Sequence, residues 1–176
     1  MTTSVVSEII DQPLTSDALG ARYRAPCGDP LMANVPGKIE LDVWGRMSMS
    51  PASNYHGILQ IRVARCFDGL SGQAMVETSI LTAIGVLVAD VAWGSDEFMR
   101  TYGAETPFAV APEICVEVAS PSNSSKELQD KITAYLAAGA TEAWLVFPQS
   151  KRVEFYAVAG LQPRSRDGID VTELFD

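Results

Sequence analysis

The sequence predicts an α/β fold in which a mixed β-sheet is flanked by helices. In the second half of the chain, apolar runs typical of buried strands surround an amphipathic pattern typical of a helix. Hydrophobic residues make up 47% of the chain and charged residues 20%, which is the composition of a globular protein. The length of 176 residues suits one domain. We therefore expect a single domain over residues 1–176, with an irregular N-terminal segment over about residues 1–36.

Local patterns place the elements of the first half. The predicted order is a short helix at 16–23, a loop at 25–30, a hairpin with strands at 38–43 and 46–49, and a helix from 58 to about 70. Trp44-Gly45 separates the two short extended runs and predicts the turn of the hairpin. Pro51 to Asn54 interrupts the chain and offers caps for the helix that follows.

The second half contains the stronger strand signals. The predicted order is strands at 74–80 and 85–93, one or two helical turns at 95–102, a strand at 114–119, a helix at 124–138, strands at 143–147 and 152–158, a polar turn at 163–168, and an edge strand at 169–175. Ser124 followed by Glu127 has the spacing of a capping box, which marks the start of the long helix.

The charge balance limits the binding partners. The chain has 22 acidic residues and 13 Lys plus Arg, for a formal net charge of −9. Because affinity for phosphate comes from cations, a uniformly basic nucleic-acid surface is excluded. Contact with DNA would require a local basic patch or a cleft bridged by a metal ion.

The spacing of the cysteines and the length of the apolar runs predict a cytoplasmic location. Cys27, Cys66 and Cys115 have no disulfide or zinc-site spacing, so we expect buried free thiols in a reducing cytoplasm. Residues 1–12 lack the basic start of a secretory signal. The longest apolar stretch, 80–89, contains Thr82 and Gly85 and is about half the length of a bilayer span. We expect a cytoplasmic protein with no membrane segment.

Two acidic residues interrupt strands that are otherwise apolar. Asp90 lies in the run Gly85 to Trp93, and Glu117 lies in the run Ile114 to Ala119. A strand that is apolar on both faces is normally buried on both faces. An ionised carboxylate there costs several kcal/mol unless a cation, hydrogen bonds or a proton compensates it. Each acid alone could cap backbone or pair with an arginine, but two in consecutive strands indicate a shared role.

The helix that follows Glu117 adds a lysine to this pair. Its packing face is marked by four residues, Leu128, Ile132, Tyr135 and Leu136. Lys131 lies three residues after Leu128 and four before Tyr135, so it falls along the same face. The pattern predicts a compact Asp90–Glu117–Lys131 cluster. The alternative is that Lys131 extends its amine to solvent from the edge of the face.

Such a cluster has the groups required for metal-assisted hydrolysis of a phosphodiester. Two carboxylates and a strand carbonyl, for which Val118 is the candidate, supply oxygen ligands for Mg²⁺ or Mn²⁺. The ion would stabilise charge on the phosphate and lower the pKa of a bound water. The lysine could orient or deprotonate that water and offset charge in the transition state.

The same residues carry a resemblance to a known family. The segments A-D-V-A at 89–92, P-E-I-C-V-E-V-A-S-P-S at 112–122 and K-E-L-Q-D-K-I-T-A-Y-L-A-A-G-A-T-E-A-W-L-V at 126–146 resemble the signature of the Uma-two family. This family is placed among the PD-(D/E)xK nucleases, which have a restriction-endonuclease-like fold. Upstream, I-E-L at 39–41 and M-S-P at 49–51 resemble its entry hairpin, and His56-Gly57 resembles its following helix start.

The resemblance implies roles for individual residues. Asp90 and Glu117 match the metal-binding acids, and Lys131 matches the catalytic lysine, which in most of the superfamily lies two residues after the second acid, where this chain has Ala119. Glu40 and His56 match polar positions that could complete the cleft. The chain departs from the family pattern at three places: Ala89 replaces a proline, Arg46 follows Gly45 where the family often has an acid, and Phe147-Pro148 stands where Asp-Pro is usual. The resemblance also implies DNA as the substrate and a homodimer.

Three functions remain open at this point. The leading hypothesis is a metal-dependent endonuclease that hydrolyses DNA. The second is a weakly active or inactive nuclease-fold protein that acts as a dimeric binding or regulatory module, which the acidic charge favours. The third is a metal-dependent hydrolase of a small phosphorylated substrate. The nuclease hypothesis requires that Asp90, Glu117 and Lys131 meet in one solvent-open groove.

Overall fold

The computed structural model describes residues 12–27, 38–50 and 53–176. Their helices and strands, in chain order, are α1 (Ser16–Cys27), β1 (Lys38–Asp42), β2 (Met47–Ser50), α2 (Asn54–Arg65), β3 (Gly72–Thr82), β4 (Gly85–Ser95), α3 (Asp96–Tyr102), β5 (Ile114–Val118), α4 (Ser125–Ala137), β6 (Glu142–Phe147), β7 (Arg152–Ala157) and β8 (Gly160–Gln162).

The eight strands of these residues form one mixed sheet. Its order is β2–β1–β4–β5–β6–β7–β8, and β3 pairs with β4. β5 and β6 are parallel, whereas the other strand pairs are antiparallel. α4 provides the crossover that a parallel pair needs. The predicted α/β class with a mixed sheet is confirmed.

Helices cover both faces of the sheet. α4 packs through Ile132 and Tyr135 onto one apolar cluster, which includes Leu145. α2 packs through Leu59 and Val63 onto the cluster on the other side. Because both faces are covered, every residue of β5 is buried, and all of β4 is buried except Trp93 and Ser95, which are half-buried. A charged side chain on either strand therefore lies inside the protein.

Serine caps begin the helices that lie next to these strands. The Ser124 hydroxyl accepts the Glu127 backbone N–H, which is one of the two hydrogen bonds of the predicted capping box; the Glu127 carboxylate accepts from the Asn123 side-chain amide. Ser53 caps α2 in the same way by accepting the N–H of His56. A serine at this position satisfies one of the free N–H groups of the first turn. The second cap fixes the helical turn that contains His56.

Several local predictions are wrong. The helix predicted from 58 to about 70 is α2, which begins at Asn54 and ends at Arg65. α1 continues to Cys27 although Pro26 lies inside it, because a proline in the last turn removes only one helical hydrogen bond. The tail over 169–175 forms turns instead of an edge strand. Its apolar residues pack on the α2 side of the core, and the Leu174 carbonyl accepts a hydrogen bond from Arg62. The last strand is instead β8, in the segment that precedes the predicted polar turn.

The exposure of the cysteines and the length of the helices can be compared with the predictions made from the sequence. All three thiols are free, but only Cys115 is buried; Cys66 is half-buried and Cys27 is exposed. The expectation of buried thiols is therefore wrong for two of the three. Among the described residues, no helix has both the length and the apolar character needed to cross a membrane.

Candidate active site

The sheet divides at β4. Near the start of β4, Val86 pairs with Leu41 of β1, and near its end Val91 pairs with Val116 of β5. Both contacts lie on the edge of β4 that β3 does not occupy, since Val86 and Val91 also pair with β3 on the other edge. Between them, residues 87–90 have no strand partner on that edge. We call this gap between β1 and β5 the fork.

Side chains replace the missing strand partners in the fork. Glu40 accepts the Val88 backbone N–H through Oε1 at 2.9 Å. Asp90 accepts the Val118 N–H through Oδ2 at 2.7 Å. The Val88 carbonyl accepts a hydrogen bond from Lys38 Nζ at 2.9 Å. Since buried backbone groups need partners, the residues that fill the fork are held by the sheet itself.

The three residues predicted to cluster lie together in the fork. Asp90 and Glu117 are 1% and 3% exposed, and Lys131 is 6% exposed. Lys131 Nζ contacts Glu117 Oε2 at 3.4 Å and Glu40 Oε1 at 2.8 Å. The lysine therefore bridges Glu117 and Glu40 and does not extend to solvent. Asp90 reaches the cluster through Lys38, which contacts both Asp90 and Glu117.

Lys38 is a site residue that the sequence did not reveal. Its Nζ lies 2.7 Å from Asp90 Oδ1 and 3.5 Å from Glu117 Oε2. The cation between the two acids is thus a lysine from the first residue of β1, in addition to Lys131. A single lysine at the start of a short strand carries no pattern that would predict burial, because lysines are mostly exposed.

Tyr135 is a second site residue with an unexpected contact. The sequence predicted it as part of the packing face of α4, and it is fully buried there. Its hydroxyl also donates to Glu117 Oε1 at 2.6 Å. The position four residues after Lys131, one helical turn away, is the signal that could have indicated this role. Glu117 is therefore held through both of its oxygens.

His56 and Glu77 lie on the other side of Asp90. His56 Nε2 is 3.1 Å from Asp90 Oδ1. Ligand atoms of His56, Glu77 and Asp90 all lie within 4.8 Å of one another. The register of β3 and β4 continues on both sides of Glu77 and Asp90 but omits that pair. Glu77 has φ +50° there, and such a conformation in a residue other than glycine is typical of functional sites.

The strand is irregular at Asp90 itself. Ala89 belongs to the core cluster under α4, whereas Val91 belongs to the cluster under α2. In a regular strand, residues two apart point to the same face. The exchange of faces occurs at Asp90, which allows its carboxylate to point along the sheet into the fork.

The pKa shifts follow from these contacts. Burial alone would raise the pKa of Asp90, but the hydrogen bond from His56 and the charge of Lys38 lower it to about 2. Burial lowers the pKa of the Lys38 ammonium, but the charges of Glu117, Asp90 and Glu40 outweigh burial and raise it above its ordinary value. Asp90 is therefore ionised and Lys38 is protonated at neutral pH.

The pKa values of Glu117, Lys131 and His56 are all raised, for different reasons. Burial raises the pKa of Glu117, and the charges of Lys38 and Lys131 only partly oppose it. Burial lowers the pKa of Lys131, but the charges of Glu117 and Glu40 and the hydrogen bond to Glu40 together outweigh burial, and the pKa rises. The hydrogen bond to Asp90 raises the pKa of His56 against the effect of burial. Lys131 is thus an ammonium group at neutral pH.

The site opens into a cavity of about 1020 Å³. Its walls include Lys38, His56, Asp90, Glu117 and Lys131 together with the loop over 120–123. Val118 also lines the cavity, as its proposed part in a metal site requires. The acids therefore face an accessible groove large enough for a small ligand or a segment of a larger one.

The donor set suits a divalent cation. Carboxylate oxygens of Asp90 and Glu117 lie around a shared cation, and a histidine nitrogen and a further carboxylate lie beside Asp90. Oxygen ligands suit Mg²⁺, and a mixed oxygen and imidazole set suits Mn²⁺ and heavier metals. The acidic groups of the site, Glu40, Glu77, Asp90 and Glu117, outnumber its basic groups, Lys38, Lys131 and His56.

The structure thus brings together Asp90, Glu117, Lys131, Glu40 and His56, which the sequence selected. It adds Lys38, Glu77 and Tyr135. Glu77 could have been found from the two-residue connection between Thr82 and Gly85, because counting back along that hairpin places Glu77 opposite Asp90. Arg46 pairs with Asp42 in the exposed hairpin and does not line the cavity.

Comparisons with known proteins identify the family and the fold of the chain. The family model Uma2, described as "Putative restriction endonuclease", matches residues 30–169, well over half of the chain. A similar solved structure is that of "a putative nuclease belonging to DUF820" from Anabaena variabilis ATCC 29413. It is 15% identical, with a TM-score of 0.68 over 93% of this chain and 98% of that chain, and at this identity the likeness concerns the fold alone. No curated protein matches.

Proposed function

Because the chain belongs to the Uma-two family, we propose that it is a metal-dependent endonuclease that hydrolyses phosphodiester bonds in DNA. One observation carries the proposal: two nearly fully buried carboxylates, Asp90 and Glu117, meet two lysines in a single open cavity. Buried charges on adjacent strands are expensive for stability. A chemical role explains why the protein keeps them.

Asp90, Glu117 and the Val118 carbonyl are the residues that would hold Mg²⁺ or Mn²⁺. When bound, the ion would stabilise negative charge on the phosphate and lower the pKa of a water ligand. Asp90 is ready for this role since its carboxylate is ionised and fixed by the Val118 N–H. His56 and Glu77 offer further ligands beside Asp90.

Lys131 would act on the phosphate as a cation. The charges of Glu117 and Glu40 raise its pKa above the ordinary value, so in the metal-free protein its amine carries a proton at neutral pH. An ammonium that lines the groove can stabilise the charge that develops on a phosphate in the transition state. The roles that we propose for Lys131 are stabilisation of this charge and orientation of the attacking water.

Tyr135 and Glu40 would position Glu117 and Lys131. Tyr135 holds one oxygen of Glu117 at 2.6 Å, and Glu40 holds the Lys131 amine at 2.8 Å. Neither residue lies among those that line the cavity. They would therefore act through Glu117 and Lys131 and not on the substrate itself.

Conversion of supercoiled plasmid to nicked and linear DNA tests the proposal. We expect cleavage with MgCl₂ or MnCl₂, none with EDTA, and loss of about a hundredfold or more in rate for Asp90→Asn and for Lys131→Met, in line with the loss of one electrostatic catalytic group. Matched controls are Asp130→Asn and Lys126→Met, whose side chains lie on the exposed surface of α4. Cleavage that persists in Asp90→Asn would contradict the proposal.

A nuclease-fold binding module is the second candidate. The observation in its favour is that Lys38 already compensates both acids. In that case the protein would bind DNA in a gel-shift assay but would not cleave it with either metal. Light scattering of the free and DNA-bound protein would test the homodimer that both candidates propose.

A further inference from the structure

Two lysines share one acid, Glu117, in the fork. Lys131 contacts Glu117 and Glu40, whereas Lys38 contacts Glu117 and Asp90. We propose that Lys38 is a built-in competitor of the divalent cation: its ammonium holds the oxygens that the cation needs and releases them when the cation binds. This inference rests on the proposed function, because it assumes that Asp90 and Glu117 bind metal.

The contacts of the Lys38 amine are those of a metal ligand set. Nζ lies 2.7 Å from Asp90 Oδ1, 2.9 Å from the Val88 carbonyl and 3.5 Å from Glu117 Oε2. An ammonium group has three N–H donors, and here it has three oxygens around it. Hard divalent cations bind the same kinds of oxygen, carboxylate and carbonyl. A divalent ion bound between these three oxygens would occupy the position that the Lys38 amine now holds, so the ion can bind there only when the amine has moved away.

Lys38 is also the lysine whose amine can move away from the acids. It begins β1, whose backbone is fixed by pairing of Lys38 with Ser50, and its side chain is 11% exposed and lines the cavity. A lysine stem with four carbons can swing into that space while the strand stays in place. Lys131 is anchored by Glu40 at 2.8 Å, which Lys38 does not contact, so Lys131 keeps its position.

The competitor has a physical benefit in the metal-free protein. Asp90 and Glu117 are like charges buried side by side, and without a cation between them the folded state would be strained by their repulsion. Lys38 stabilises that state but lowers the apparent metal affinity, because only molecules with a displaced Lys38 can bind the ion. The metal-free fold is preserved at the expense of metal affinity.

A titration of the full chain with MnCl₂ tests the inference. Electron paramagnetic resonance measures the free Mn²⁺ at each step and gives the affinity. Lys38→Met should bind Mn²⁺ about tenfold or more tightly than the unmodified chain, because every molecule then has free oxygens. Lys126→Met, which makes the same charge change on the exposed face of α4, should leave the affinity unchanged. Equal or weaker binding by Lys38→Met, or equal tightening by Lys126→Met, would overturn the inference.

Thermal unfolding separates this role from a merely structural one. Without metal, Lys38→Met should unfold at a lower temperature than the unmodified chain, since two buried carboxylates lose their cation. MnCl₂ should then raise the unfolding temperature more for Lys38→Met than for the unmodified chain. A variant that is destabilised and gains no more from MnCl₂ than the unmodified chain would show that Lys38 is structural only, and would refute the inference.

Chemical labelling of the unmodified chain gives a test that does not depend on a variant. Acetylation of lysine amines, quantified by mass spectrometry, should increase at Lys38 when MgCl₂ is added, while Lys126 stays constant. No increase at Lys38 despite measured metal binding would overturn this inference and leave the proposed function intact. Absence of Mn²⁺ binding in every variant, Lys38→Met included, would contradict the proposed function as well.

Discussion

The two edges of β5 contrast sharply. On one edge, all five residues from Ile114 to Val118 pair with β6, and their partners include Trp144 and Leu145. On the other edge, pairing with β4 stops at Val116, and the Val118 N–H is taken by the Asp90 carboxylate. One edge is closed by backbone and apolar side chains, and the other is closed by charged groups.

This difference shows how the fold can place charges inside a sheet. Where the ladder stops, carboxylates act as the strand partners, so their positions are fixed by backbone N–H groups as well as by lysines. Apolar packing at the paired edge should contribute most to stability, whereas the charged groups of the fork are those that we propose to act in hydrolysis. Mutations on the two edges should therefore differ in the size of their effect on the free energy of unfolding.

The largest loss of stability should come from the paired edge. Trp144 is fully buried and packs against Phe67 and Phe155, with ring centroids 5.3 and 5.0 Å away. Trp144→Ala should lower the free energy of unfolding by about 3–5 kcal/mol, because it leaves a large cavity. Urea denaturation followed by circular dichroism measures this. Val158→Ala, at a side chain that is 85% exposed, is the control, and a similar loss there would contradict the contrast.

In the fork, the loss should be smaller. Asp90→Ala leaves the Val118 N–H and one contact of Lys38 without a partner, which should lower the free energy of unfolding of the metal-free protein by about 2 kcal/mol. Asp90→Asn keeps an acceptor oxygen and should lose about half as much. The same denaturation experiment in EDTA compares the two. An Asp90→Ala protein as stable as the unmodified chain would refute the idea that the carboxylate replaces a strand partner.

Substitution by glycine should change the free energy of unfolding differently at Glu77 and at its neighbour Val76 in β3. Its φ of +50° is costly for a side chain with a Cβ, so Glu77→Gly should be neutral or stabilising by up to about 1 kcal/mol. Val76, which pairs regularly with Val91, is the matched position, and Val76→Gly should be destabilising by about 1 kcal/mol. If both glycines destabilise the protein equally, the strain at Glu77 is not real.

His56 should give the smallest effect, visible only as a pH dependence of the metal-free protein. Its pKa is raised above 6.5 in the folded state by the hydrogen bond to Asp90. The stabilisation is therefore complete below the unfolded pKa and is lost as the pH rises through the folded pKa. The difference in unfolding free energy between the unmodified chain and His56→Gln should shrink as pH rises. A difference that is constant or grows with pH would contradict this assignment.

The parts of the site predictable from sequence were those in which one residue breaks a strong pattern. Asp90 and Glu117 interrupt apolar strands, and Lys131 lies on the packing face of a helix whose start Ser124 marks. Those patterns depend on residues close in the chain. They were enough to select the acids and the lysine that lie in the fork.

The other parts of the site and of the fold depend on strand register and sheet topology. Lys38 reaches Asp90 across 52 positions of sequence because β1 and β5 separate on β4, and no local pattern predicts such a separation. The tail illustrates the same limit: Ile169 and Val171 alternate like a strand, but packing on the α2 side of the core holds them in turns. Tertiary packing outweighs local preference there.

Location of Mn²⁺ in crystals of the protein, by anomalous scattering, would test most directly whether the fork is a metal site. We expect the strongest anomalous peak within about 2.0–2.3 Å of oxygens of Asp90 and Glu117, with the Lys38 amine moved away from them. A peak found only at surface carboxylates, with Lys38 still in contact with both acids, would contradict the account.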